Sequence, residues 1–84
     1  MSDDIIMYGT DWCGDCHRSR RLLDAHAIPY RFVNIDDHPQ AEALVIHINH
    51  GRRRVPTLVF ADGSTLTEPS DATLAAKLGL PGPS

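Results

Sequence analysis

The stretch IIMYGTDWCGDCHRSRRLLDAHA, residues 5–27, contains the elements that determine the fold. Residues 5–8 are a short apolar run stopped by Gly9, which predicts a buried strand because the run is too short for a helix. Residues 14–27 have the composition and apolar spacing that are typical of a helix. The predicted order is therefore strand, tight loop and helix, with Cys13 and Cys16 where the loop meets the helix.

The next segment predicts a second strand and a second helix. Residues 30–35, which follow Pro29, alternate between apolar and polar side chains, and the helical crossover makes this strand parallel to the first. Pro39 suits the first position of a helix that continues to about His50 and stops at Gly51. Its apolar residues recur every three or four positions, which predicts a core face formed by Ala41, Leu44, Val45 and Ile48.

The C-terminal part of the chain predicts a hairpin and a third helix. Residues 57–60 and 65–66 are predicted strands, joined by a turn whose Asp-Gly pair, residues 62–63, favours positive φ. A helix then begins at residues 70–71 and ends at Gly79, and residues 80–84 are expected to form a loose tail. The order βαβαββα predicts an α/β fold with a four-stranded mixed sheet and three helices.

The composition indicates one small globular domain covering residues 1–84. Of the 84 residues, 42% are hydrophobic and 23% are charged. Eight Lys and Arg residues against eleven Asp and Glu residues give a net charge of −3, which argues against a general role in binding nucleic acid or other polyanions. No apolar stretch approaches the roughly 18 to 20 residues that span a bilayer, and the N-terminus has acids where a secretory signal has basic residues. We therefore expect a cytoplasmic protein that does not contact membranes.

The chain has two cysteines, too few for the disulfide framework of a small secreted protein. A cysteine that opens a helix lies beside unpaired backbone N–H groups, which stabilise negative charge, so we expect Cys13 to be the reactive thiolate. Cys16 lies one turn further on, close enough for a disulfide and deeper in the fold. This pattern predicts an exposed nucleophile with a resolving partner.

Charged residues of both signs surround the cysteines. Positive side chains favour the thiolate and negative ones oppose it, so the sequence alone does not give the sign of their sum. The positive residues are His17, Arg18, Arg20 and Arg21, and the negative ones are Asp11 and Asp15. Trp12 is expected to cover the apolar side of the Cys13 sulfur, with ordinary surface packing as the alternative.

Three motifs together resemble the thioredoxin superfamily and, within it, the glutaredoxins. The WCGDC sequence resembles the active site of that superfamily, and Val55-Pro56 resembles its cis-proline loop, so we expect Pro56 to be cis. The segment ADGSTLTEPS, residues 61–70, is similar to the mycoredoxins, a glutaredoxin-like family. The match extends from Ile5 to Leu78, and it implies a thioredoxin-like fold of the glutaredoxin type.

The resemblance also implies roles for individual residues. Cys13 would be the catalytic nucleophile and Cys16 the second cysteine, while Val55 and Pro56 would align the substrate. The other candidate substrate-binding residues are Thr10, Trp12, Ser70 and Asp71. The last two occupy the position where glutaredoxins bind the carboxylate end of a low-molecular-weight thiol, at a helix N-terminus that suits an anion.

Two departures from the family pattern leave the identity of that thiol open. Residues 67–69, Thr-Glu-Pro, replace the glycine pair usual in glutaredoxins, and Asp15 replaces the commoner aromatic residue. The expected activity is thiol–disulfide exchange on mixed disulfides, with mycothiol, glutathione or a similar thiol as co-substrate and no bound metal or prosthetic group. The expected partners are that thiol, S-thiolated proteins and an unidentified upstream reductase, and the expected state is a monomer.

Other interpretations use the same residues. The cysteine pair could serve a redox-sensing or metal-binding module without turnover. CGDCH, residues 13–17, fits covalent haem attachment with His17 as a ligand, and a zinc site could use Cys13, Cys16 and His17.

His47 and His50 have metal-like spacing but are expected to be exposed polar residues. Residues 52–54, three arginines, are expected to form a solvated loop, with contact to the thiol as the alternative.

Overall fold

The computed structural model describes residues 5–81, and its element order follows the predicted one. The strands are β1 (Ile6–Gly9), β2 (Arg31–Asn34), β3 (Thr57–Val59) and β4 (Thr65–Thr67). The helices are α1 (Gly14–Ala25), α2 (Pro39–Ile48) and α3 (Asp71–Leu78). None of the helices within the described range has the length and apolar character needed to cross a membrane.

The four strands form one mixed sheet in the order β2-β1-β3-β4. Strand β1 pairs in parallel with β2, with Ile6 opposite Arg31, and antiparallel with β3, with Ile6 opposite Val59. Strand β4 completes the sheet by antiparallel pairing with β3. The predicted α/β architecture is confirmed, and the central position of β1 places its C-terminal end, where the cysteine loop begins, in the interior of the sheet.

The core is built from apolar side chains that all the strands and two helices contribute. Met7, Leu23, Leu58 and Leu74 are completely buried, and Leu66 of β4 packs against them. Burial of one such side chain contributes about 1.5 to 3 kcal/mol, so these contacts fix α1 and α3 firmly on the sheet. The rigid platform that results holds the start of α1.

Two helix ends differ from the sequence-based prediction. Helix α1 ends at Ala25, not at residue 27, because Ala27 has a φ of 52°, which no α-helix contains. Helix α2 ends at Ile48, and His50 has a φ of 58°. Both helices are predicted too long at their C-terminal ends because alanine and histidine are compatible with a helix. The residues in left-handed conformation that end the two helices cannot be recognised from composition.

The predicted core face of α2 is wrong at one position. Val45 is completely buried and Ala41 and Ile48 are half-buried, but Leu44 is 40% exposed. Successive residues of a helix are about 100° apart around its axis. Leu44 therefore lies away from the buried side that Val45 occupies, and it faces solvent. Periodicity identified the buried stripe and overestimated its width.

Helix α3 begins and ends as predicted. The Ser70 hydroxyl accepts a hydrogen bond from the Thr73 N–H at 3.1 Å, and Gly79 adopts a φ of 71°, which glycine tolerates best. The N–H of Leu80 then donates to the Ala75 carbonyl at 2.9 Å. The first residue of the expected tail is therefore bonded to α3, and residues 82–84 lie outside the described part of the chain.

Candidate active site

Cys13 is the N-cap residue of α1, as its position in the sequence predicts. Its φ of −88° and ψ of 113° are extended, and its sulfur accepts a hydrogen bond from the Cys16 N–H at 3.1 Å. The sulfur thus satisfies one of the backbone donors that the first turn of a helix leaves unpaired. Both this hydrogen bond and the positive end of the helix dipole favour negative charge on Cys13.

Cys16 has the opposite environment. It is 1% exposed, against 8% for Cys13, and both are free thiols. Burial raises the pKa of the Cys16 thiol from 9.0 to about 12, and the neighbouring Cys13 sulfur is the second cause. A backbone hydrogen bond from Thr10 acts in the other direction. Cys16 therefore keeps its proton at neutral pH, and it lies deeper than Cys13, as predicted. The predicted exposure of Cys13 is wrong, because Cys13 is itself buried.

Gly9 makes room for the Cys16 sulfur at the end of β1. A Cβ atom at Gly9 would lie 2.7 Å from the Cys16 Sγ and 3.0 Å from the Cε1 atom of Phe32. Carbon and sulfur cannot approach so closely without displacement, so only glycine fits here. From the sequence, Gly9 is predicted only to end a strand; a glycine that closes an apolar strand just before the cysteines is the signal for this close approach.

The Val55-Pro56 segment lies against Cys13, and its peptide bond is cis as expected. The Cys13 thiol donates a long hydrogen bond, 3.7 Å, to the Val55 carbonyl oxygen. Pro56 is buried, and its carbonyl accepts a hydrogen bond from the Glu68 N–H at 2.8 Å. The structure therefore brings together the two segments that the motifs had linked.

Asn49, which no sequence motif indicates, anchors this segment. Its side-chain amide donates to the Thr57 hydroxyl at 3.0 Å and to the Val45 carbonyl at 2.8 Å. Its side-chain oxygen accepts from the Thr67 hydroxyl at 2.6 Å. One side chain thus connects the end of α2 with β3 and β4 directly after the Val55-Pro56 loop. An asparagine at a helix end gives no sequence signal for such distant partners.

Thr10 and Trp12, on either side of the cysteine loop, have contrasting positions. Thr10 is 1% exposed, and its hydroxyl has no hydrogen-bond partner among residues 5–81. Trp12 is 69% exposed, and its indole N–H donates to Asp36 at 3.1 Å. Trp12 thus has the surface position that was the alternative expectation, tied to Asp36, and cover of the Cys13 sulfur stays a prediction.

Ser70 and Asp71 lie at the start of α3, alongside the first turns of α1. The Asp71 carboxylate is 3.6 Å from the Arg18 guanidinium, which also pairs with Asp15 at 3.1 Å. Ser70 caps its own helix through its hydroxyl group. Arg18 therefore links α1, which Cys13 caps, to the start of α3, where an anion is expected to bind. The positive charge of Arg18 is shared between the Asp15 and Asp71 carboxylates.

The other arginines near the site also have partners. Arg20 lies over the Phe32 ring, with its guanidinium carbon 4.1 Å from the ring centre. Arg53 pairs with Asp36 and Glu42, and Arg54 pairs with Glu68. Residues 52–54 are exposed and lie outside the helices and strands, as expected for a solvated loop, and Arg53 and Arg54 in addition form surface ion pairs.

The histidines singled out for metal-like spacing lie on the surface. His47 and His50 are both exposed, as expected. Residues 5–81 contain no group of three or more His, Cys, Asp or Glu side chains placed to hold one metal ion. The His17 ring nitrogen Nε2 lies 2.7 Å from the Asp11 carbonyl oxygen, a hydrogen bond that ties the start of α1 to the cysteine loop.

Comparisons with known proteins agree on one family. The glutaredoxin family model matches residues 5–65. A glutaredoxin-like protein of Mycobacterium tuberculosis is 46% identical over 74 residues, which cover 88% of each chain. Mycoredoxin 1 of Corynebacterium glutamicum is 33% identical over 75 residues, covering 89% of this chain and 92% of that protein.

Solved structures give the same picture of the fold. A structural-genomics target protein from X. campestris has a TM-score of 0.69 at 31% identity, and the match covers 89% of this chain and 95% of that one. The glutaredoxin of Methanosarcina mazei has a TM-score of 0.76 at 21% identity, covering 93% of this chain and 80% of the other. The predicted glutaredoxin fold is therefore confirmed.

Proposed function

This chain belongs to the glutaredoxin family and is a thiol–disulfide oxidoreductase, and from that premise we propose that it reduces mixed disulfides through Cys13 and Cys16. The proposed substrates are S-thiolated proteins, and the proposed co-substrate is a low-molecular-weight thiol such as mycothiol or glutathione. Cys13 is the proposed nucleophile.

The observation that carries this proposal is the contrast between the two sulfurs. The Cys13 sulfur accepts the Cys16 N–H at 3.1 Å at a helix start, whereas burial raises the pKa of Cys16 to about 12. Only a thiolate attacks a disulfide, so the sulfur that the helix start stabilises is the one able to attack. Cys13 is also the more exposed of the two.

The proposed reaction has two exchange steps. The Cys13 thiolate attacks the sulfur of the small thiol in the mixed disulfide; one S–S bond forms, another breaks, and the protein thiolate leaves and takes up a proton. A second small-thiol thiolate then attacks the sulfur attached to Cys13, which releases Cys13 and forms a disulfide of two small thiols. In the net reaction the second small thiol is the reductant: its sulfur is oxidised to the disulfide level while the protein sulfur is reduced to a thiol.

Cys16 offers a second route for the release step. After losing its proton, it can attack Cys13, form the Cys13–Cys16 disulfide and expel the small thiol. Bond formation at Cys13 removes the repulsion between the two sulfurs, but burial, the main reason for the high pKa of Cys16, remains. Release by a second small thiol is therefore the proposed principal route.

The loop contacts support roles for the substrate-aligning residues. When Cys13 loses its proton it can no longer donate to the Val55 carbonyl, which lies 3.7 Å away and becomes free to accept an N–H from the substrate. Ser70 and Asp71 are the proposed site for the polar end of the small thiol, with Thr10 and Trp12 beside the reacting sulfur. One chain supplies both cysteines and the facing loop, which supports a single-domain monomer as the working unit.

The test compares turnover of bis(2-hydroxyethyl) disulfide with mycothiol, glutathione and bacillithiol as reductants, each recycled by its own disulfide reductase. The proposal predicts sustained turnover with at least one of these thiols. A single stoichiometric reaction with all three would indicate a redox sensor and contradict the proposal. Metal analysis of the purified protein checks the metal-binding alternative at the same cysteines.

A further inference from the structure

A single carboxylate lies between the two loops that flank Cys13. The Oδ2 atom of Asp36 accepts the Trp12 indole N–H at 3.1 Å, and its Oδ1 atom pairs with the Arg53 guanidinium. Trp12 directly precedes Cys13 in one loop. Arg53 lies in the other, two residues before Val55, whose carbonyl contacts the Cys13 sulfur. Asp36 therefore uses its two oxygens to connect both walls of the site.

The position of Asp36 is itself fixed by further contacts. Its backbone N–H donates to the Asn34 side chain at 2.9 Å, and Asn34 donates in turn to the Asp11 carboxylate at 3.2 Å. On the other side, the Arg53 Nε atom pairs with Glu42 of α2 at 2.6 Å. A carboxylate whose backbone and both oxygens are bonded has few alternative positions, so it is suited to orient another group.

Trp12 is the group that gains most from being oriented. It is 69% exposed, and only Leu44 is another large hydrophobic side chain exposed among residues 5–81. An exposed side chain with no anchor samples several rotamers, and a partner must pay the entropy of fixing it. The hydrogen bond to Asp36 removes part of that cost in advance.

Resting on the proposed function, we propose that Asp36 is a positioning residue that fixes the Trp12 indole beside Cys13 as a preorganised contact for the protein part of an S-thiolated substrate. Aromatic side chains held rigidly at a surface are typical anchors of protein recognition. A small disulfide does not extend across the indole face and gains less from it. Asp36 is therefore expected to affect the preference for protein substrates, whereas an exposed ion pair contributes little to folding stability.

The kinetic test uses two substrates: serum albumin carrying a mixed disulfide with the small thiol that supports turnover, and bis(2-hydroxyethyl) disulfide. The variant Asp36→Ala should lower kcat/KM for the albumin substrate about three- to tenfold more than for the small disulfide, mainly through KM. Asp37→Ala is the matched control, because Asp37 is exposed in the same turn and its side chain has no polar partner among residues 5–81. It should leave both values unchanged.

A second readout follows the indole directly, since Trp12 is the single tryptophan of the chain. Time-resolved fluorescence anisotropy should show a larger fast component in Asp36→Ala, because the indole loses its anchor. Asp37→Ala should match the wild type. A purely structural role for Asp36 would not change the motion of Trp12 while the folded state remains intact.

The Trp12→Phe variant completes the test, because it keeps an aromatic ring and removes the N–H donor. The effect of Asp36→Ala on substrate preference should shrink in the Trp12→Phe background. An unchanged preference in Asp36→Ala, or unchanged indole motion, would overturn the inference. If that variant does not fold, Trp12→Phe alone must lower the preference for the protein substrate, and an unchanged preference in it would overturn the inference. Absence of wild-type turnover on the small disulfide would instead contradict the proposed function.

Discussion

Cys13 and Cys16 are the same chemical group one helical turn apart, yet their surroundings differ in every respect that matters for reactivity. Cys13 caps α1, accepts a backbone N–H and retains some exposure, whereas Cys16 is buried and has a pKa of about 12. The difference shows that the first turn of a helix can divide two thiols into an attacking one and a protected one. Position on the helix, not residue type, sets the chemistry.

The largest expected effect comes from removing the attacking sulfur. Cys13→Ser replaces the nucleophile with a hydroxyl that does not ionise near neutral pH, so turnover of a mixed disulfide should fall by a factor on the order of 10³ or more. A coupled assay at saturating small thiol measures this change. Circular dichroism and thermal unfolding of the variant serve as the control for folding. Substantial residual turnover in Cys13→Ser would contradict the assignment of Cys13 as the attacking thiol.

A substitution at Gly9, which lies against the Cys16 sulfur, tests how closely Cys16 is packed. Gly9→Ala would place a methyl group 2.7 Å from the Cys16 Sγ, so the free energy of unfolding should fall by about 1 to 3 kcal/mol through overpacking. Gly14→Ala is the matched control, because a Cβ atom there meets no other atom within 4 Å. Its stability should be equal to or up to about 1 kcal/mol above that of the wild type. Equal losses in the two variants, measured by urea denaturation, would contradict the close approach at Gly9.

The pH dependence of stability sharpens the same contrast. The pKa of Cys16 is higher in the folded state than the ordinary thiol value of 9.0, so its contribution to stability is complete below pH 9 and is lost as pH rises toward 12. Above pH 9 the wild type should lose stability relative to Cys16→Ser by about 1 kcal/mol per pH unit. Urea unfolding of both reduced proteins at several alkaline pH values measures the difference. Parallel pH profiles would show that burial does not hold the Cys16 proton.

The smallest kinetic effect is expected from removing the protected sulfur. Because release by a second small thiol does not need Cys16, Cys16→Ser should retain roughly a tenth or more of wild-type turnover. The rate should rise with small-thiol concentration in this variant. A loss as complete as that in Cys13→Ser would assign the reaction to the two-cysteine route.

Much of this site could be predicted because its key parts are local in sequence. The WCGDC segment, its place at a helix start, and the Ser70 cap of α3 depend on neighbouring residues alone. The Val55-Pro56 loop was found through a motif. Local patterns of this kind indicate which residues react and which elements carry them.

The remaining parts depend on contacts between distant residues, which no local pattern contains. Asp36 meets Trp12 across 24 positions of the chain, and Asn49 meets Thr67 across 18. The burial of Cys16 beside Gly9 likewise results from how α1 packs on β1. The error at Leu44 has the same origin, because only the packed structure defines the width of the buried stripe on α2.

Site-resolved alkylation of the reduced protein at pH 7 tests the central contrast most directly. Iodoacetamide reacts with thiolates, and even an ordinary thiol is a few per cent ionised at this pH, whereas a thiol with a pKa of about 12 is ionised far less. Mass spectrometry of peptides taken over time should show Cys13 modified at least about a hundredfold faster than Cys16. Comparable rates at the two positions, or faster modification of Cys16, would contradict the account.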